Sequence, residues 1–402
     1  MKRGYILTSA IFVFVFMISG VFAQKSSETI DTRIDNMGYW TEKAEQGLVP
    51  VAAPIPMKQA KFKTSKIDAV SVITDDSPDV PVTSLTNVTE SENSVFIDPN
   101  NADYILNSNN STSWSGGTVG SLYGANYFQS SNGGTSWGGS YQGAGGANSG
   151  DPTTAISHSG RQYVNYISDP GGQGIAYSDN GSTWTTATVA PNPGDLADKN
   201  HMWIDNSLSS PYEGNLYVAW TPFGGTNDAE IVISRSINDG VSWSSAVNIS
   251  SAVSAGSHNQ GVNLQTGPNG EVYAVWTIYD SWPSDETALG FAKSLNGGSS
   301  YTSATRIISN IRGIRTTETS KNHRVNSFPS MAVDISNGPN SGNIYVVWAN
   351  VGVPGTNTGT NISVYMIRSE DGGSSWSTPI RVNQNTYTEG KEAYFPWITC
   401  DP

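Results

Sequence analysis

The sequence predicts an all-β protein built from a repeated four-stranded unit, and three recurring patterns predict it. Polar glycine turns closed by an aromatic recur at "SSNGGTSW" (130–137), "YSDNGSTW" (177–184), "SINDGVSW" (236–243), "SLNGGSSY" (294–301) and "SEDGGSSW" (369–376). Alternating strands precede them at "RQYVNY" (161–166), "GNLYVAW" (214–220), "GEVYAVW" (270–276) and "GNIYVVW" (342–348). Such alternation gives a strand two different faces. Earlier still in each unit lies a short apolar strand: "SVFIDP" (94–99), "TTAIS" (153–157), "HMWID" (201–205), "GVNLQ" (261–265) and "SMAVD" (330–334).

Each unit therefore reads strand, tight turn, strand, loop, strand, glycine turn, strand. A four-stranded antiparallel unit cannot bury both its faces alone, and stacking such units around an axis buries them against one another. The expected fold is a β-propeller with blades at about 94–150, 151–197, 198–257, 258–325 and 326–393. "YFPWITCDP" at 394–402 matches "SFPSMAVDI" at 327–335. It predicts the first strand of a sixth blade, so the expectation is a six-bladed propeller truncated after that strand.

Composition agrees with this class. Charged residues make up 14% of the 402, while 12 Trp and 18 Tyr supply the apolar area that the spaces between blades need. A helical bundle would require more Leu, Ala, Glu and Lys. The net charge of −13 is spread along the chain without a long basic run, which excludes the electrostatic footprint of a nucleic-acid binder. A single cysteine, Cys400, excludes an internal disulfide, so the core must carry the stability.

Two segments precede the repeats. Residues 1–23 read as a secretory signal: Lys2 and Arg3, an apolar run, then Val21 and Ala23 before a cleavage point. The expected location is outside a bacterial cell or on its surface, with no membrane span once the signal is removed. Residues 24–93 form an arm or linker, with a short helix around Tyr39–Leu48 and then a Pro- and Val-rich stretch without sustained period.

The glycine turns fit the pattern Ser-x-Asp-x-Gly-x-(Ser/Thr)-Trp. The polar side chain holds the turn through backbone amides, glycine takes the positive-φ position, and the aromatic folds onto the blade. The residues expected in this structural role are Asn132, Trp137, Asp179, Trp184, Asn238, Trp243, Asn296, Tyr301, Asp371 and Trp376, with Tyr177 replacing the first Ser of the second copy. The basic residues Arg235, Lys293 and Arg368 recur just before the turns and are expected on a solvated strand face.

On these five turns the region 94–402 resembles the sialidase-like superfamily of Asp-box (BNR-repeat) propellers, many of them secreted bacterial proteins. The resemblance implies six blades and a ligand mouth on the face opposite the boxes. For sialidases it further implies three arginines clamping a carboxylate, a Tyr–Glu nucleophile pair and an Asp acid/base. No Arg-Ile-Pro segment occurs here, and "ENSVFIDP" (92–99) offers no arginine. The expected function is therefore binding of an extracellular glycan or glycoprotein at the mouth; the alternative is an exo-sialidase or other glycoside hydrolase.

Candidate mouth residues come from two loops. "NIRGIRTTETSKNHRVNSF" (310–328) is locally basic, with Arg312, Arg315, Lys321 and Arg324 suited to an anionic sugar. "TIYDSWPSDE" (277–286) offers Tyr279, Asp280, Trp282, Asp285 and Glu286 for stacking and hydrogen bonding. His201, His258 and His323 precede first strands at different offsets, so no metal site is expected, nor any cofactor.

Overall fold

The computed structural model describes residues 30–51, 80–83, 85, 87–116, 118–253, 258–314, 325–386 and 389–400. The signal-like segment 1–23 lies outside the described residues. Five antiparallel sheets follow one another along the chain. Their first strands are Val88–Asp98, Thr153–Ile156, Leu196–Ile204, His258–Thr266 and Ser330–Val333. The last four sheets have four strands each in simple up-and-down order. The first carries an additional strand, Thr118–Ala125, paired to the end of its long second strand Asn101–Ser115. First strands of successive sheets lie against one another, so the sheets are stacked like the blades of a propeller.

This stacking explains the sequence pattern of the second strands. Leu216–Phe223 and Val272–Tyr279 are buried at every position, because each blade is covered on both faces. The cores accordingly sit between blades. Tyr163 and Ile175 of blade two meet Met202, Leu216 and Val218 of blade three. Tyr217 and Ile233 of blade three meet Leu264, Ala274 and Trp276 of blade four. Phe291 of blade four meets Met331, Val346 and Trp348 of blade five.

The glycine turns connect third to fourth strands and share one bonding scheme. In the fifth, Gly373 N–H donates to Ser369 Oγ at 2.8 Å, and Asp371 Oδ1 accepts from the N–H groups of Ser374 (3.0 Å) and Ser375 (2.8 Å). Asn238 and Asn296 accept in the same way from Ser242 and Ser300, each at 3.0 Å. Gly372 and Gly373 both have positive φ, 63° and 81°, and a Cβ on Gly373 would stand 2.4 Å from the Phe291 ring.

That last contact alters the expectation for the aromatics. Trp184 and Trp376 do not simply fold onto their own blade; they reach the preceding one. Trp376 packs edge-on against Phe291 of blade four at 5.3 Å, and Trp184 against Tyr127 of blade one at 5.0 Å. The recurrent cations take part as well. Arg235 donates to the Gly297 carbonyl at 2.6 Å, and Lys293 to the Gly372 carbonyl at 2.6 Å. Each therefore grips the glycine turn of the next blade, which corrects their reading as a solvated face. Arg368, in blade five, instead pairs with Glu370 at 2.8 Å.

The second turn is also corrected. Its bonding residue is Asn180, not Asp179: Asn180 Oδ1 accepts from Ser182 and Thr183, while Ser178 Oγ accepts from Gly181. The turn is one residue shorter than the others. Asp179 therefore points away and pairs with Arg161 at 2.6 Å.

A second inter-blade bond recurs at the axis. The side chain at one register position of a first strand accepts a backbone N–H of the next first strand. Thr154 donates to Ser94 (3.0 Å), Leu264 to His201 (3.2 Å) and Met331 to Asn263 (3.2 Å). Ile398 donates to Ser330 in the same register, at 3.3 Å. Residues 391–400 form no strand, yet this bond places Ile398 where a following blade would start.

These contacts generate a graded prediction for urea denaturation. Trp376→Ala should cost about 2–3 kcal/mol, somewhat below a fully buried Trp→Ala change. Arg235→Ala should cost about 1 kcal/mol, because it breaks a charge-assisted bond between blades. Arg368→Ala should cost under about 0.5 kcal/mol, as for a surface pair. Equal effects of the two arginine changes would contradict the inter-blade role.

Candidate functional site on the mouth face

The glycine turns and the first hairpins occupy one end of every sheet. The opposite end is made by the loops joining second to third strands and by the segments entering first strands. Two clusters of chemistry lie there.

The first is a cleft of about 530 Å³ between blades four and five. Its lining comes from the 280–287 loop (Asp280, Ser284, Asp285, Glu286, Thr287), from the fourth strand of blade four, Thr305–Ser309 (Arg306, Ser309), from the segment after it (Asn310, Ile311, Arg312) and from Asn357 of blade five. Carboxylate, guanidinium, amide and hydroxyl groups face one cavity there. Arg306 forms a two-pronged ion pair with Asp280, which also accepts from the Thr287 hydroxyl at 2.7 Å. Asn310 donates to the Gly355 carbonyl, which ties the rim of blade four to the blade-five loop.

The sequence-derived candidates divide within this region. Arg312 and Asp280 line the cleft, with Asp285 beside them. Arg315, Lys321, His323 and Arg324 lie outside the described residues. Tyr279 and Glu286 form a hydrogen-bonded pair, hydroxyl to Oε1 at 3.0 Å, but they are 2% and 0% exposed. Glu286 Oε1 also accepts from Ser327 N–H at 2.9 Å, and burial raises its pKa despite these donors. Glu286 borders the cleft, but its carboxyl and the Tyr279 hydroxyl are buried against each other and brace the loop from beneath instead of offering groups to a ligand. A Cβ on Gly313 would overlap Glu286 Oε2, so the 310–314 segment closes directly over the carboxyl. Trp282 packs on His258 and Tyr279 and donates to Thr32 Oγ1 at 3.3 Å.

The second cluster lies at the entry of the first three first strands and was not anticipated. Glu92 of blade one, Asp151 of blade two, and Asp198 and Lys199 of blade three converge. Lys199 Nζ lies 2.8 Å from Glu92 and 3.7 Å from Asp151. Asn110 donates to Glu92 at 2.7 Å and Gln260 to Asp198 at 3.0 Å. Glu92, Asp151 and Lys199 all have positive φ, 53°, 55° and 49°, uncommon for residues with side chains. They stand at the same place relative to the strand core, as does Gly261 of blade four (72°). Crowding by the cluster raises the Glu92 carboxyl, although 37% of its side chain stays exposed, but the Lys199 charge and hydrogen bonds from Lys199 and Asn110 bring it down to about 2. Burial and the Glu92 charge push Asp151 well above the carboxylate range. Burial, opposed by Lys199, leaves Asp198 at about 6. Burial lowers the Lys199 ammonium, yet the three carboxyls raise it above its ordinary value. The sequence signal was a charged residue just ahead of three successive first strands.

The histidines do not converge. His201 is buried beside Asn263, with burial lowering it to about 4, and His258 packs among Phe223, Tyr279 and Trp282. Among the described residues no group of three or more His, Cys, Asp or Glu is arranged to hold a metal. Nor is any helix there long and apolar enough to cross a membrane.

No family model matches the chain, and no curated protein matches it. Solved structures do superpose on it. A protein of unknown function from Dyadobacter fermentans is 13% identical, over 74% of this chain and 84% of that one, with a TM-score of 0.45. The α-L-arabinofuranosidase of Fusarium graminearum with arabinobiose is 14% identical, over 75% and 84%, with a TM-score of 0.44. A variant of the Aleuria aurantia lectin with Fucα1-6GlcNAc is 14% identical, over 74% and 79%, with a TM-score of 0.42.

The acid cluster yields a pH prediction. Folded Asp198 keeps its proton up to about pH 6, whereas its ordinary pKa is 3.8. Between those values the folded state holds more protons than the unfolded chain, so stability falls as pH rises. Asp198→Asn removes that loss. The variant should gain about 1–3 kcal/mol over the parent at pH 7.5 and nothing at pH 3.5. A gain of equal size at both pH values in urea titrations would contradict this.

Proposed function

We propose that this chain is a secreted, sialidase-like Asp-box propeller that binds extracellular glycans or glycoproteins on its mouth face. One observation carries the reading: the polar cleft between blades four and five, where Asp280, Arg312, Asn310 and Asn357 present donors and acceptors to a cavity large enough for a sugar. The lining is charged and polar, which favours hydroxyl-rich or anionic saccharides over apolar ligands. The secretory reading rests on residues 1–23 and the glycine turns. The six-bladed reading is supported by the match of 394–400 to 327–333, by the Ile398–Ser330 bond, and by Phe395, whose φ of 54° repeats that of Glu92, Asp151 and Lys199.

A hydrolytic reading, exo-sialidase included, is favoured by the axial carboxyls, whose proton affinities are pushed apart as in an acid/base pair. Its geometry is unfavourable here. Glycosidase carboxyls stand about 5 to 9 Å apart to admit the sugar or a water, whereas here Lys199 Nζ stands against both, 2.8 Å from Glu92 and 3.7 Å from Asp151. The cation among them is a lysine, where the sialidase resemblance implies arginines.

Calorimetric titration with neutral and acidic oligosaccharides tests the binding reading. A saccharide that binds should lose about tenfold in affinity with Arg312→Ala or Asp280→Asn, the size of one charge-assisted hydrogen bond. Binding that ignores both changes would refute the cleft. Turnover of a fluorogenic sialoside or arabinoside that disappears in Asp151→Asn would favour hydrolysis instead.

A further inference from the structure

The arm preceding the blades does not lie on an outer edge. It crosses the mouth ends of blades two, three and four. Ile34 and Tyr39 are 2% and 7% exposed and fill an apolar seat made by Ile167, Leu196 and Phe223. Arg33 donates to Asp228 at 2.8 Å and stacks over the Phe223 ring at 5.3 Å. Asp31, paired with Arg33 at 2.6 Å, holds the guanidinium in that position. Asn36 caps the helix Met37–Glu45 and donates to the Ser149 carbonyl at 3.1 Å. Asp35 N–H donates to Asp198 Oδ2 at 3.3 Å, so the arm reaches the axial acid cluster itself.

This is the anatomy of a peptide complex: two buried apolar anchors in an apolar seat, with hydrogen-bonded and charged contacts at the rim. A nine-residue helix is too short to persist without its docking surface, so the seat orders the arm. The seat belongs to strand ends, with Ile167, Leu196 and Phe223 at or next to the ends of their strands, and nothing covalent holds the segment there apart from its own chain.

We propose that residues 31–45 are a self-ligand: a plug seated in a peptide-binding groove over blades two to four, which covers the Asp198 side of the axial cluster. Anything that reaches Asp198 from the mouth displaces the arm first. The groove recognises a short stretch leading into a helix, with a guanidinium, an aliphatic anchor and a helical aromatic in the order of Arg33, Ile34 and Tyr39. The glycan cleft lies beyond this seat, so the plug stands independently of the glycan reading.

The test uses the full chain. Ile34→Asp/Tyr39→Ala should release the arm, and a fluorescein-labelled peptide of residues 30–47 then reports on the seat by anisotropy. The labelled peptide should bind this variant saturably and at least tenfold more tightly than the parent, whose tethered arm competes at high effective concentration. In parallel, carbodiimide modification of Asp198, read by mass spectrometry, should quicken at least tenfold in the variant. Native circular dichroism with no peptide binding, or with unchanged Asp198 modification, would overturn the proposal. Should the double variant unfold, Arg33→Ala carries the same two measurements, with the same outcomes deciding.

Discussion

The structure depends on one contact, the glycine turn of each blade from the second onward seated against the blade before it. The turn is locked internally by a Ser and an Asn or Asp. Its glycine lets the backbone touch an aromatic of the neighbour, as Gly373 touches Phe291. Its carbonyl accepts a cation from that neighbour, as Gly372 accepts from Lys293. Because the cores lie between blades and not within them, no blade completes its own interior. The turn fixes the distance and rotation between successive sheets, and the first-strand bonds at the axis fix their register. A mouth built from loops of separate blades can hold a defined shape only because both constraints act.

Much of this was legible in the sequence. The repeats gave the strand order and the faces, because a turn with two positive-φ residues leaves few choices beyond glycine and a short polar side chain. The failures share a physical cause. Box two was misaligned by one residue because both Asp179 and Asn180 are chemically able to lock a turn, and only the local length decides for Asn180. Arg235 and Lys293 were read as solvated because their partners sit in the next blade, far along the chain. Periodicity shows that a position recurs, not what it touches.

The mouth was legible only in outline. Topology directed attention to the 280–287 loop, and Asp280, Asp285 and Arg312 line one cleft. Tyr279 and Glu286 looked like ligand groups because the loop around them is polar, yet they are sealed beneath Gly313 and Ser327. The axial cluster escaped because its members come from three blades. Each looks like a solvated strand entry, and only their convergence makes an ion network, in which Asp151 and Asp198 are buried while Glu92 stays exposed. Such networks cost desolvation; here Asn110 and Gln260 donate to Glu92 and Asp198, while Asp151 Oδ2 and Asp198 Oδ1 are buried without a hydrogen-bond partner.

The account divides labour between two faces: the glycine turns hold the blades, and the opposite loops meet the ligand. A crystal structure with a bound oligosaccharide tests this division most directly. The account predicts sugar hydroxyls within hydrogen-bond distance of Asp280 and Arg312, with the glycine turns unoccupied. A saccharide seated on the turns at 236–243, 294–301 or 369–376, with the cleft empty, would contradict it.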